Sequence, residues 1–148
     1  MKIYIQVSFI SFMEKSDEIQ KIVLEFHKAM ENADETFFSQ MLSQKDGLVM
    51  IGSDPEEWLT GHANIVKILK SQFDQMSGCK VIPKGNLQAF CEGAVGWFAE
   101  EMTFKMPDGI EIPFRITGVF HQENNEWKAV QFHASIGMGN EEAGMDLE

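Results

Sequence analysis

From Arg115 to Gly137 the residues alternate in character with a period of two, and this alternation constrains the chain more than any other feature. Ile116, Gly118 and Phe120 alternate with Arg115, Thr117, Val119 and His121. After a polar turn at residues 123–126, Val130, Phe132, Ala134 and Ile136 alternate with Ala129, Gln131, His133 and Ser135. Successive side chains of a strand point to opposite faces, so each segment reads as a strand with one apolar and one polar face. Asn124-Asn125 supplies the hairpin turn. The apolar set is expected to face a core. The polar set is expected to lie on the outer face, together with Val119 and Trp127.

Upstream, the pattern changes to helical spacing. Ser16 and Asp17 suit the cap of a helix reaching about residue 32, with Ile19, Ile22, Val23, Phe26 and Met30 on one stripe. Asp34 opens a second, short helix carrying Phe37, Phe38, Met41 and Leu42. Residues 48–52 read as a short buried strand, and residues 53–58 as a turn-rich connection around Pro55. A third helix runs over residues 62–76 with Ile65, Ile68, Leu69, Phe73 and Met76 inward, and Gly78 stops it. Strands are predicted over 80–91, 95–106, 110–121 and 127–137, with Pro107-Asp108-Gly109 as a further hairpin turn. Helices followed by a meander of antiparallel strands give an α+β domain with helices packed on one sheet face.

Composition narrows the function classes. A chain of 148 residues suits one domain. The formal net charge of −11 argues against nucleic acid and against an anionic membrane surface, because both need a basic patch. Cys79 and Cys91 form no CxxC pair and have no metal-ligand spacing, so we expect two free thiols in a reducing cytoplasm, no bound metal and no cofactor. In residues 1–15, Ile3, Ile5, Val7 and Phe9 alternate as an added edge strand would, while Met13 offers an alternative start. Gln6 interrupts the apolar run, which is too short to span a bilayer. The domain is expected over residues 16–139, with residues 140–148 as a frayed acidic tail.

Several stretches together resemble SnoaL-like proteins of the nuclear-transport-factor-2-like superfamily. They are Ile51-Gly52-Ser53-Asp54-Pro55-Glu56-Glu57-Trp58, Gly93-Ala94-Val95-Gly96-Trp97, Pro107-Asp108-Gly109, Arg115-Ile116-Thr117, and Trp127 with His133 and Ser135. The resemblance implies a cone: a curved, mostly antiparallel sheet wrapped around three helices, with a pocket between them. Acidic residues, a tyrosine or a histidine act as acid and base inside the cone where such proteins are enzymes. The one tyrosine, Tyr4, lies outside the expected domain, which departs from the ketosteroid isomerase pattern.

Candidate residues follow from these readings. Trp58, Trp97, Phe120 and Phe132 are expected at a ligand pocket. In residues 95–104, Trp97, Ala99, Glu101 and Thr103 share one face, while Gly96, Phe98, Glu100, Met102 and Phe104 share the other. Each face carries one carboxylate; the resemblance places Trp97 and Glu101 inside, making Glu101, with Asp54 near the mouth, the candidate acid–base group. Relatives of this fold also pair through the outer sheet face. A homodimer is therefore expected, with Arg115, Thr117, Gln131, His133 and Ser135 near its interface. Arg115 is the only arginine, and a mid-strand guanidinium needs an acceptor. Two functions remain open: a domain that binds a small apolar or carboxylate-bearing molecule or serves dimerisation, and an isomerase, cyclase or dehydratase using a pocket carboxylate.

Overall fold

A computed structural model describes residues 12–146. The expected edge strand through Ile3 and Phe9, and Tyr4, lie outside the described residues. In chain order the elements are β1 (Glu14–Lys15), α1 (Asp17–Asn32), α2 (Glu35–Met41), β2 (Val49–Ile51), β3 (Trp58–Thr60), α3 (His62–Gln75), β4 (Lys80–Pro83), β5 (Gln88–Glu92), β6 (Val95–Lys105), β7 (Glu111–Glu123) and β8 (Glu126–Ser135). The strands form one mixed sheet in the order β1-β5-β6-β7-β8-β2-β3, with β4 also paired to β6. The pairing is antiparallel except between β2 and β8, which run parallel. The sheet curves without closing, and the three helices fill its concave side, as an α+β cone requires.

Local chemistry explains the helix boundaries. The Ser16 hydroxyl accepts from the Ile19 N–H at 3.2 Å, and Asp17 and Glu18 stand in the first turn of α1, where negative charge is favoured. The helix ends at Ala33 in the left-handed region, φ 48°. Asp34 then caps α2 by accepting from the Phe37 N–H at 3.0 Å. The stripe Ile19, Val23, Phe26 and Met30 is buried in the core, so α1 turns its apolar side to the sheet.

The strands depart from simple alternation at two places. Residues 80–91 are not one strand. Pro83 and Gly85 (φ +82°) break the run, and β4 and β5 pair with different halves of the same edge of β6. Asn86 bridges the gap: its side-chain oxygen accepts from the Glu101 N–H at 3.0 Å, in place of a ladder bond. The second departure is a β-bulge. Val119 faces Gln131 but Phe120 faces Ala129, so Val130 is an extra residue on β8. A bulge resets the period of two. Trp127 and Ala129 therefore turn inward and are buried, against the expected outer position. The Trp127 indole N–H donates to Glu18 Oε2 at 2.8 Å and ties β8 to the start of α1. Ile136, expected inward, lies past the end of β8 and is exposed.

The concave face is filled chiefly by phenylalanine. Phe132 stands at the centre, with ring centroids 5.3 Å from Phe26, 5.8 Å from Phe98 and 6.1 Å from Phe120. Tilted and edge-on ring pairs of this kind each contribute about 0.5–1.5 kcal/mol beyond area burial. Phe98 fits because Gly118 on the neighbouring strand has no side chain: a Cβ there would fall 2.4 Å from its ring edge. Gly118→Val is therefore expected to overpack the core and to lower the unfolding free energy by about 1–3 kcal/mol, read as a fall in the urea midpoint. An unchanged midpoint would mean that Phe98 has room to move.

Candidate functional site: a cavity under the β2–β3 loop

Between the helices and the sheet the phenylalanine packing is incomplete. A cavity of about 310 Å³ remains. Its inner wall is apolar, from Phe26 and Met30 on α1, Leu69 and Phe73 on α3, Met76 just after it, and Phe104, Phe114, Ile116, Phe132 and Ala134 on the sheet. Met41 and Met50 complete it. Unbranched methionine side chains adapt their shape, which suits a wall that meets something other than itself. The polar residues on the wall are Ser53, Glu57, Gln72 and Gln75, from the β2–β3 loop and the outward side of α3. They form the mouth.

The loop over the mouth is held by its own hydrogen bonds. The Gly52 N–H donates to the Glu57 carbonyl at 2.9 Å and the Glu57 N–H to the Asp54 carbonyl at 3.0 Å. Glu57 folds back under the loop, where its Oε2 accepts from the Asp54 N–H at 3.1 Å and its Oε1 from Gln72 Nε2 at 2.5 Å. Gly52 makes this possible, since a Cβ at that position would fall 1.8 Å from Glu57 Oε2. Among the described residues Glu57 is the only ionisable one lining the cavity.

The residues predicted for the pocket divide. Phe132 lines the cavity. Phe120 is fully buried in the core but does not reach the cavity wall. Trp58 is 68% exposed and borders a separate shallow depression with Lys45 and His62. Its strand pairs Ile51 with Trp58, and this register turns the indole to the convex side. Trp97 also faces outward, stacked on Phe90 with centroids 6.4 Å apart.

The expected acid–base residues are placed elsewhere. Asp54 is exposed, and its Oδ1 accepts from the Glu56 N–H at 2.8 Å, which is turn chemistry. Glu101 faces the convex side, bonded to Asn86 Nδ2 at 2.9 Å and 3.7 Å from Lys84 Nζ. The carboxylate inside the cone is Glu100, 4% exposed. Its Oε1 lies 2.5 Å from His27 Nε2, and His27 is 7% exposed. Glu100 Oε2 is buried with no hydrogen-bond partner among the described residues. The signal for this arrangement was present in the sequence. Glu100 shares its face with Phe98, Met102 and Phe104, and His27 stands on the stripe of Val23 and Met30. Neither residue lines the cavity, so the pair serves to join α1 to β6.

Arg115, Thr117, Gln131, His133 and Ser135 stand together on the convex face, because Arg115 pairs with Ser135, Thr117 with His133 and Val119 with Gln131. Both cysteines are free. Cys79 is buried, and desolvation, helped by the nearby Glu31 carboxylate and opposed by Lys80, pushes its thiol above the ordinary range. Among the described residues no helix is long and apolar enough to cross a membrane.

The curved sheet, the three helices on its concave side and the cavity between them define a nuclear-transport-factor-2-like α+β cone. Residues 19–139 match the family model of the SnoaL-like domain, and the chain belongs to that family. Solved structures share the fold. An NTF2-like protein of unknown function from Pseudomonas putida KT2440 is 14% identical, with 91% of this chain and 99% of that one covered at a TM-score of 0.73. A proposed dehydratase of the NTF2-like family from Streptomyces avermitilis is 14% identical over 83% of this chain and 96% of its own, TM-score 0.70. An NTF2-like superfamily protein from Salmonella enterica serovar Typhimurium is 18% identical over 82% and 90%, TM-score 0.67. These likenesses concern the fold. No protein of curated function matches the chain.

Removing one member of a buried polar pair leaves the other unsatisfied, at a cost of about 1–3 kcal/mol or more. Glu100→Leu is expected to destabilise the domain by at least that amount, and adding His27→Leu to recover a large part of it. Denaturant unfolding of the two single variants and the double variant measures the coupling. Additive losses would mean that the two side chains do not act as a pair.

Proposed function

We propose that this SnoaL-like domain binds a small apolar molecule in the cavity beneath the β2–β3 loop and does so as a homodimer. One observation carries the binding reading: the cone keeps about 310 Å³ of space, walled by methionine and phenylalanine and opening at a polar mouth. Such a volume lies near the lower end of the roughly 300–1,000 Å³ of small-molecule sites, whose walls are likewise mostly apolar. Turnover is the weaker reading. General acid–base chemistry works best with groups held in different protonation states, and Glu57 alone among ionisable groups lines the cavity. An isomerase, cyclase or dehydratase would have to act through that single carboxylate.

The dimer reading rests on the convex face. Phe90, Trp97, Val119, Gln131 and Val49 are successive partners across five strands, so a row that is apolar except at Gln131 crosses the sheet on that side. Arg115 stands on the same face, two positions from Thr117 and opposite Glu101, and its guanidinium makes no ion pair or hydrogen bond among the described residues. A second copy would cover the row and offer the guanidinium an acceptor. The two free cysteines support a reducing compartment, the cytoplasm.

Decanol, a neutral probe of about the right bulk, is expected to raise the melting temperature by roughly 5–10 °C at a hundred times its Kd. Ala134→Phe, which fills the cavity wall, is expected to abolish that shift while leaving the far-ultraviolet circular dichroism unchanged. A shift that survives the substitution would place the probe elsewhere. Sedimentation tests the dimer. The wild type should run as a dimer at micromolar concentration, and Arg115→Ala should weaken it by about tenfold in Kd, equivalent to about 1.4 kcal/mol. A wild-type monomer would end the dimer proposal.

A further inference from the structure

The charge at the mouth limits what can enter. Among the described residues the cavity wall carries no lysine, arginine or histidine, and its one ionisable side chain is the Glu57 carboxylate. We infer that the ligand is an apolar molecule whose polar end donates hydrogen bonds, as an alcohol or a primary amine does, and that a carboxylate-ended molecule of the same shape is rejected. This inference rests on the binding reading above and adds the chemistry of the head group.

The position of Glu57 is fixed from three sides. Gln72 donates to one carboxylate oxygen and the Asp54 N–H to the other. The bare Cα of Gly52 leaves no space between itself and Oε2 for another atom. A carboxylate has about four lone-pair positions, and these two bonds use two of them. The remainder are acceptors at the polar end of an otherwise apolar cavity. A hydroxyl or ammonium group arriving with its tail among Phe26, Met30 and Phe132 would find a charge-assisted acceptor already in place. A ligand carboxylate would meet like charge where solvent is partly excluded, and nothing cationic on the wall would offset it. Each mouth amide already spends one of its two N–H donors inside the protein, Gln72 on Glu57 and Gln75 Nε2 on Ser71 Oγ at 3.3 Å, and neither carries a positive charge. The arrangement therefore selects against fatty acids, a common class of small apolar ligand, through one side chain of the loop.

The test uses three probes with one tail: decanol, decylamine and decanoate, titrated calorimetrically into the wild type, Glu57→Gln and Glu25→Gln. Glu25 is an exposed carboxylate on α1 that does not line the cavity, so its substitution controls for the overall charge of −11. Decanol and decylamine are expected to bind the wild type at least tenfold more tightly than decanoate. In Glu57→Gln, which removes the charge and keeps one of the two acceptor oxygens, decanoate should come within about threefold of decanol. Glu25→Gln should leave the ratios as they are. Decanoate binding the wild type as tightly as decanol overturns the head-group assignment while the cavity reading stands, and this comparison needs no variant. Ratios unchanged by Glu57→Gln, or moved equally by Glu25→Gln, overturn it too. No decanol binding to the wild type, or binding undiminished in Ala134→Phe, removes the cavity reading and this inference together.

Discussion

The fold depends on long, continuous antiparallel pairing among β6, β7 and β8. Val95 to Lys105 pairs without interruption with Glu111 to His121, and β7 then pairs with β8 from Arg115 to Glu123. Strands of this length twist, and a bulge adds local curvature. The extra residue at Val130 bends β8 and brings Trp127 inward to Glu18. The sheet thereby becomes a trough, and a trough needs helices to cover its apolar side. The N-terminal helices supply that cover through Ile19, Val23, Phe26 and Phe38.

The same curvature leaves space. Near the Val130 bulge, the rings of Phe98, Phe120 and Phe132 close on one another and the interior is packed. Toward Phe104, Phe114 and Ala134 the packing against α3 is incomplete, and the cavity occupies the gap. A void lined by apolar groups forfeits dispersion contacts and costs stability. The cavity is thus an energetic liability unless something fills it, which is the physical reason for reading it as a site. Its mouth is built from a loop that Gly52 allows to fold tightly over Glu57.

Buried polar groups divide the interior into a packed part and a part that faces the cavity. His27 and Glu100 Oε1 join α1 to β6 away from the cavity, and Glu100 Oε2 is left without a partner among the described residues. Glu57 is satisfied only in part, and faces the cavity. Glu101, one residue from Glu100, serves the opposite face, where with Asn86 it repairs the gap between β4 and β5. Two adjacent carboxylates on one strand have unrelated roles because neighbouring residues point to opposite faces.

The amino-acid sequence alone determined the α+β class, the three helices and the N-terminal caps of the first two, the last hairpin and the membership suggested by its motifs. Those follow from periodicity and turn chemistry, which act over a few residues. The sequence leaves the side of Glu100 open, since each face of β6 carries one carboxylate and the resemblance favours Glu101; the structure buries Glu100. Only the tertiary structure decided the inward turn of Trp127, because a bulge is set by register between two strands and leaves no mark in either one alone. The break at residues 84–87, the outward side of Trp58 and Trp97, and the choice of Glu57 over Asp54 at the cavity were decided in the same way. Each depends on which strand or helix lies opposite, and the chain fixes that only when its distant segments pack together.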